Sequence, residues 1–193
     1  MSALVVPMER TPLNMVEVAG RLGAMFYELW GRLPSTPLLQ IASGIIGFEN
    51  AGGASIYNRN FGNVTAPGGY DGRVWTANGL FFLDFPSVED GAKYWWRLMS
   101  ARYHDVLVDA DQGELVAAVR DLLRLGYLGR SPTAAQYKSY TAGVRSYAQS
   151  IGWAADAIAT QWRRPIVGIA VGGFAAVAAA AGGYYWHQRR AVA

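Results

Sequence analysis

The chain has 193 residues, a length that suits one compact domain with a short appendage and excludes two large enzymatic domains. It contains no cysteine, which excludes disulfides, thiolate metal sites and cysteine nucleophiles. The net charge is +3 and the pI is near 9.3, but four of the 17 basic residues only flank a C-terminal apolar stretch, so we expect no nucleic-acid partner.

Three dipeptides predict helix starts, because a hydroxyl residue that can cap a helix precedes a proline: Thr11-Pro12, Thr36-Pro37 and Ser131-Pro132. An apolar run with helical spacing follows each of them. The first run ends at Gly31 and Pro34, and the second carries Phe48-Glu49 into a glycine-rich turn. We therefore expect a carboxylate at the end of a buried helix.

The middle of the chain predicts an irregular segment followed by a hairpin. Residues 50–74 are rich in Gly and Asn and show little periodicity, which is typical of a surface loop that carries binding groups. Asn78-Gly79 then joins two apolar runs, 73–77 and 80–85, and predicts a tight antiparallel turn. Ser87 and Asp90 resemble a capping box, and further helices are expected over 114–125 and 132–151. The expected fold class is α+β and mainly α.

The C-terminal region predicts a membrane anchor. Residues 166–186 carry no charge, and 21 helical residues span roughly 30 Å, the thickness of a bilayer's hydrocarbon core. The predicted organisation is a domain over 1–152, a linker over 153–164, a membrane helix over 165–187 and a basic tail over 188–193. The small residues Gly168 and Gly172 allow an oligomer through this helix, and arginine pairs on both sides leave its orientation open.

Glu49 is the strongest candidate for chemistry. Cleavage of a glycosidic bond requires a proton donor, and partial burial raises the pKa of a carboxylic acid toward the working pH. The apolar residues 45–48 supply that burial, and Gly52-Gly53 allow a polymer to approach closely. The alternative is a solvated carboxylate at a helix end.

The same residues begin a family resemblance. Residues 49–55 (Glu-Asn-Ala-Gly-Gly-Ala-Ser) and 60–63 (Asn-Phe-Gly-Asn) resemble the Glu-x-Gly-x-Gly and Asn-x-Phe-Gly motifs of bacterial endo-β-N-acetylglucosaminidases, the flagellar and autolysin-type peptidoglycan hydrolases. The resemblance continues, in the family's order, through 83–90, Arg102-Tyr103, Leu125-Gly126-Tyr127 and Tyr137. Residues 36–147 are covered in this way.

The resemblance implies a lysozyme-like fold in which Glu49 protonates the oxygen between two amino sugars and Tyr127 assists. The family often places a second acidic residue on the hairpin after a threonine, whereas this chain has Thr76-Ala77-Asn78 there. Asp71 or Asp84 can substitute as general base or nucleophile, although each also has a structural interpretation, in a turn or in an ion pair. A single-acid mechanism, through the substrate's acetamido group or an anhydro product, stays open as well.

A glycan site also requires aromatic faces and amide donors. Five residues in or beside the irregular segment are the predicted substrate-binding groups: Tyr57, Asn60, Asn63, Tyr70 and Trp75. Trp75 has the alternative of packing inside the hairpin. No metal spacing, phosphate loop or nucleophile elbow is present, so we expect neither a metal nor a cofactor.

The sequence thus predicts a membrane-anchored enzyme that degrades peptidoglycan glycan strands. The N-terminus lacks the pattern of a signal peptide, so the enzyme is expected to reach the cell wall by a route other than export. A virus particle provides such a route, which favours a bacteriophage virion or lysis protein over a bacterial enzyme. The main alternative is a catalytically inactive, membrane-anchored docking protein that binds cell-wall glycan, and the missing hairpin acid favours it.

Overall fold

The protein is described by a computed structural model, which covers residues 3–128, 132–152 and 154–156. Its elements in chain order are β1 (Leu4–Val5), α1 (Met15–Trp30), α2 (Thr36–Glu49), β2 (Arg73–Ala77), β3 (Leu80–Leu83), α3 (Val88–Arg102), α4 (His104–Asp111), α5 (Leu115–Arg124) and α6 (Ala134–Ser150). The described part is mainly helical with one small three-stranded sheet, so the expected α+β class is confirmed.

The helix starts differ from the predicted ones. Helix α1 begins after Asn14, which forms a capping box with Glu17, and not at Thr11-Pro12, because residues 11 and 13 donate backbone hydrogen bonds to the loop at 53–56. Ser35 caps α2, one residue before the predicted cap. Thr133 caps α6, and Ser131 lies outside the described residues. Only the cap of α3 at Ser87 is confirmed, since its side chain accepts the Asp90 amide.

The predicted hairpin is confirmed. Strands β2 and β3 pair antiparallel, with Ala77 opposite Leu80, so that Asn78 and Gly79 form a two-residue turn. Both have positive φ, 53° and 75°, as this class of turn requires. The second strand ends at Leu83, two residues earlier than predicted, because the chain then bends toward the loop: the Phe85 amide donates to the Asn58 carbonyl.

Two elements were not predicted. Strand β1 lies parallel to β2, with Leu4 opposite Arg73, and gives the sheet order β1-β2-β3. Helix α4 fills the stretch between α3 and α5. Two residues of β1 carry too little pattern to identify a strand, and their partner lies far along the chain.

One apolar core joins the helices. Helix α2 is buried along most of its length and packs most extensively against α6, while α1 packs on both α2 and α3. Trp95 and Trp96 of α3 are fully buried in the same core. The core continues into Ala154 and Ala155, just past the predicted end of the domain at residue 152. This arrangement fixes the C-terminal end of α2, where Glu49 lies.

The predicted membrane span, residues 166–186, lies outside the described residues, as do the predicted tail and most of the predicted linker. Among residues 3–128, 132–152 and 154–156, no helix combines the length and the apolar character needed to cross a bilayer.

Candidate active site

Glu49 is the last residue of α2 and is partly buried. The chain turns sharply after it, with positive φ at Ala51, Gly52 and Gly53. At Gly53 the turn is also tightly packed, because a Cβ there would lie 2.4 Å from the Leu13 carbonyl oxygen. The glycine-rich turn therefore serves first to fold the segment back against the start of α1, and it holds the end of α2 in place.

The loop that follows is tied to Glu49 through Asn63. The Asn63 side-chain amide donates to the backbone carbonyl of Glu49 at 3.2 Å. Asn63 and Gly62 both have positive φ, 51° and 80°. The predicted substrate-binding residue Asn63 thus lies beside the candidate acid, and part of its amide is used to fasten the loop to the helix end.

The environment of the Glu49 carboxyl group favours its neutral form. Burial raises its pKa above the ordinary glutamate value, and the Tyr140 hydroxyl opposes part of that rise. The Tyr140 hydroxyl is itself buried, and the Glu49 carboxyl group is the polar group that it meets. A carboxylic acid that keeps its proton to higher pH is what a general acid requires.

Tyr127, the second predicted catalytic residue, belongs to the same cluster. Its hydroxyl accepts from Trp95 Nε1 at 3.4 Å and donates to the Gly62 carbonyl at 3.5 Å. Burial, followed by the negative charge of Glu49, raises the pKa of Tyr127 well above the tyrosine value. Its ring also meets Tyr103 edge to face, with centroids 5.5 Å apart. Tyr127 is therefore a neutral hydroxyl within electrostatic range of Glu49.

The two hairpin-region carboxylates lie in other settings. Both oxygens of Asp84 are occupied: one by Arg59 and Asn58, the other by Arg73 Nε at 2.7 Å. Burial alone would raise the pKa of Asp84, but these hydrogen bonds and the charge of Arg59 outweigh it and hold the pKa below the ordinary aspartate value. These contacts favour the structural interpretation of Asp84.

Asp71 lies in the exposed turn before β2. The pKa of Glu49 responds to burial and to the Tyr140 hydroxyl. The structure therefore brings Asn63 and Tyr127 to Glu49, whereas Asp84 is engaged by arginines and Asp71 is exposed.

The other predicted sugar-binding residues are largely engaged in the fold. Asn60 is buried and uses its amide group on Val64 and Leu83, which fastens the loop to the hairpin. Trp75 is 3% exposed and stacks on Phe82 at 4.5 Å, with Tyr57 at 5.6 Å on the same cluster. This packing matches the alternative in which Trp75 is core.

Tyr70 is the most exposed of the predicted sugar-binding residues, at 36%. Its hydroxyl lies against Gly72, where a Cβ would meet it at 2.4 Å. Its surface is open to a ligand, on the turn that leads into β2.

Two site residues, Tyr140 and Trp95, were not predicted from the sequence. Tyr140 lies three residues after Tyr137, on the face of α6 that is buried with Val144 and Ala148. Tyr137 points elsewhere, since its hydroxyl donates to the Val116 carbonyl at 3.1 Å. The spacing 140, 144, 148 was the available signal, because it marks the buried stripe of a helix.

No known protein family, curated protein or solved structure matches this chain. Among the described residues, no group of three His, Asp or Glu side chains is arranged to hold a metal ion. The chemistry that the site offers is proton transfer. Glu49 is a partly buried carboxyl group with a raised pKa, it interacts with the neutral hydroxyls of Tyr127 and Tyr140, and the Asn63 amide binds its backbone carbonyl.

Proposed function

We propose that this domain cleaves β-1,4 bonds between amino sugars in peptidoglycan, with Glu49 as the general acid. The supporting observation is the setting of Glu49, whose pKa is raised by burial at the start of a glycine-rich loop. Such a group is still protonated when an ordinary surface glutamate is not, and it can donate its proton to a leaving sugar oxygen. The motif resemblance of residues 49–63 to peptidoglycan glucosaminidases supports the choice of substrate.

The occupied oxygens of Asp84 favour a single-acid reaction within this proposal. A second carboxylate acts as base or nucleophile only if it is free to meet water or the sugar, and Asp84 is held by two arginines. The second role then falls to the exposed Asp71 or to the substrate, through its acetamido oxygen or through a hydroxyl that closes an anhydro ring. Hydrolase and lytic transglycosylase are both consistent with this arrangement, and the chemistry of the new sugar end distinguishes them.

A direct test uses the full-length chain in mild detergent on purified peptidoglycan. We expect the wild type to lower the turbidity and release soluble fragments, and Glu49→Gln to reduce the rate by about 10²–10⁴-fold, the usual contribution of a general acid. Glu114→Gln is the matched control, because Glu114 is exposed and makes no side-chain cap hydrogen bond. A wild-type protein that is folded but releases no fragments would refute the proposed function.

A second candidate is the glycan-docking protein without turnover, and one observation favours it: both oxygens of Asp84, a candidate second acid, are already occupied by Asn58, Arg59 and Arg73. It predicts that wild type and Glu49→Gln bind sedimented peptidoglycan equally and release nothing. If the domain is an enzyme, wild type and Glu49→Gln bind peptidoglycan equally, but wild type releases fragments much faster. In both cases we propose, from the sequence alone, that residues 166–186 anchor the chain in a membrane and that a virion is the route of delivery.

A further inference from the structure

Helices α2 and α6 pack closely against each other, and this packing determines which α6 side chains lie beside Glu49. A Cβ on Gly44 would lie 2.6 Å from the Val144 carbonyl oxygen, and a Cβ on Gly47 would lie 2.8 Å from the ring of Tyr147. These two glycines of α2 let the backbones approach without the space that a side chain needs. The contact runs toward the C-terminal end of α2, where Glu49 is the last residue.

On α6, a third glycine completes the arrangement. Phe48, the neighbour of Glu49, fills the space over Gly143, where a Cβ would meet its ring at 2.1 Å. The Phe48 ring also meets the Tyr140 ring edge to face, with centroids 4.7 Å apart. The Tyr140 ring is thus packed against Phe48, the residue that precedes Glu49, and its burial leaves the side chain little freedom to change rotamer.

The hydroxyl of Tyr140 is the unusual feature of this contact. Tyr140 is 3% exposed, and its hydroxyl has no partner of normal hydrogen-bond geometry among the described residues. A buried hydroxyl is costly unless another polar group meets it. The polar group that it meets is the Glu49 carboxyl group.

We propose that Tyr140 is a positioning residue, whose buried hydroxyl orients the Glu49 carboxyl group and tightens its contact when the carboxyl group loses its proton. This role rests on the proposed function of Glu49 as an acid. The hydroxyl donates to the carboxylate formed by proton transfer, and so it stabilises the product of that step more than the reactant. The charge of Glu49 also acts on the Tyr127 hydroxyl, the Tyr103 ring packs against the Tyr127 ring, and the Asn63 amide donates to the Glu49 backbone carbonyl.

The test is Tyr140→Phe, which removes the hydroxyl and keeps the ring against Phe48. In full-length protein with ¹³C-labelled glutamate side chains, NMR titration follows the six glutamates, and Glu49→Gln identifies the signal of Glu49. We expect the pKa of Glu49 to rise by about one pH unit in Tyr140→Phe, the scale of one hydrogen bond to a charged group. Tyr137→Phe is the control, because that hydroxyl lies on the same helix and binds Val116.

The kinetic readout is the pH profile of peptidoglycan cleavage. In Tyr140→Phe the acid form persists to higher pH, so the alkaline limb moves upward by about one pH unit, and the rate below it falls by about tenfold as the carboxyl group loses its orientation. Tyr137→Phe leaves the profile in place.

If the pKa of Glu49 is unchanged in folded Tyr140→Phe, the positioning role is overturned, whatever the rate of peptidoglycan cleavage. A wild type that cleaves nothing, with a Glu49 titration that still moves, would refute the proposed function and leave the contact established.

Discussion

Gly62 offers the sharpest single-residue test of the site, because it touches Tyr127 from the loop side. Its φ is +80°, and a Cβ there would lie 2.6 Å from the Tyr127 hydroxyl oxygen and 2.8 Å from the Trp95 ring. Gly62→Ala therefore adds two costs. Left-handed backbone costs about 1–2 kcal/mol for a residue with a Cβ, and forcing a methyl group into a packed core costs about 1–3 kcal/mol. The expected loss of unfolding free energy is about 2–5 kcal/mol.

Gly79→Ala separates the two costs. Gly79 has nearly the same φ, +75°, but nothing lies within 4 Å of its Cβ position. It should lose only the backbone part, about 1–2 kcal/mol. The difference between the variants is then about 1–3 kcal/mol, which for a chain of this size corresponds to about 2–12 °C in Tm.

Thermal unfolding by circular dichroism measures this difference, and peptidoglycan release measures its effect on the site. Displacing Tyr127 relative to Glu49 should reduce the rate by about 10²-fold in Gly62→Ala, since misplacement of about 1 Å has that effect. Gly79→Ala should keep its rate, because the turn lies outside the cluster. Equal Tm losses and equal rates in the two variants would show that the loop does not press on Tyr127.

Two further changes test the carboxylates. The folded-state pKa of Glu49 is raised above 4.5, so its stabilising contribution is present below that pH and lost as pH rises through the folded pKa. Glu49→Gln should therefore match wild type in stability near pH 4 and exceed it at neutral pH, and an equal difference at both values would contradict the raised pKa. Asp84→Asn removes the partner of two arginines that are 22% and 59% exposed and should cost about 1–3 kcal/mol at neutral pH, with a smaller difference from wild type as pH falls through the lowered pKa of Asp84. Folded Asp84→Asn should cleave at a near-normal rate, whereas a catalytic Asp84 requires a loss of several orders of magnitude.

Local sequence signals were sufficient for some elements of this fold. Asn78-Gly79 between two apolar runs identified the hairpin, because the turn's positive φ values restrict which residues occupy it. The apolar run before Glu49 identified a buried helix that ends at a carboxylate. Both features are determined by neighbours within a few residues, and sequence patterns contain that information.

The sequence did not reveal the contacts that join distant segments. Strand β1 exists only through its pairing with β2, and Tyr140 reaches Glu49 only because Gly44, Gly47 and Gly143 let two helices approach. The start of α1 was misplaced for the same reason, since the loop at 53–56 captures the backbone of residues 11–13. In each case the deciding partner lies elsewhere in the chain, and no local pattern specifies it.

Glu49 and Asp84 show how one small domain can give two carboxylates opposite properties. Asp84 is surrounded by the cations of Arg59 and Arg73, which keep it ionised and make it a fixed joint between strand and loop. Glu49 meets the Tyr140 hydroxyl instead, and burial raises its pKa, so that it keeps its proton to higher pH than an ordinary glutamate. Environments that move two pKa values apart assign two different roles. An arginine introduced beside Glu49 would make it resemble Asp84, and the proposed acid would lose the proton that it has to donate.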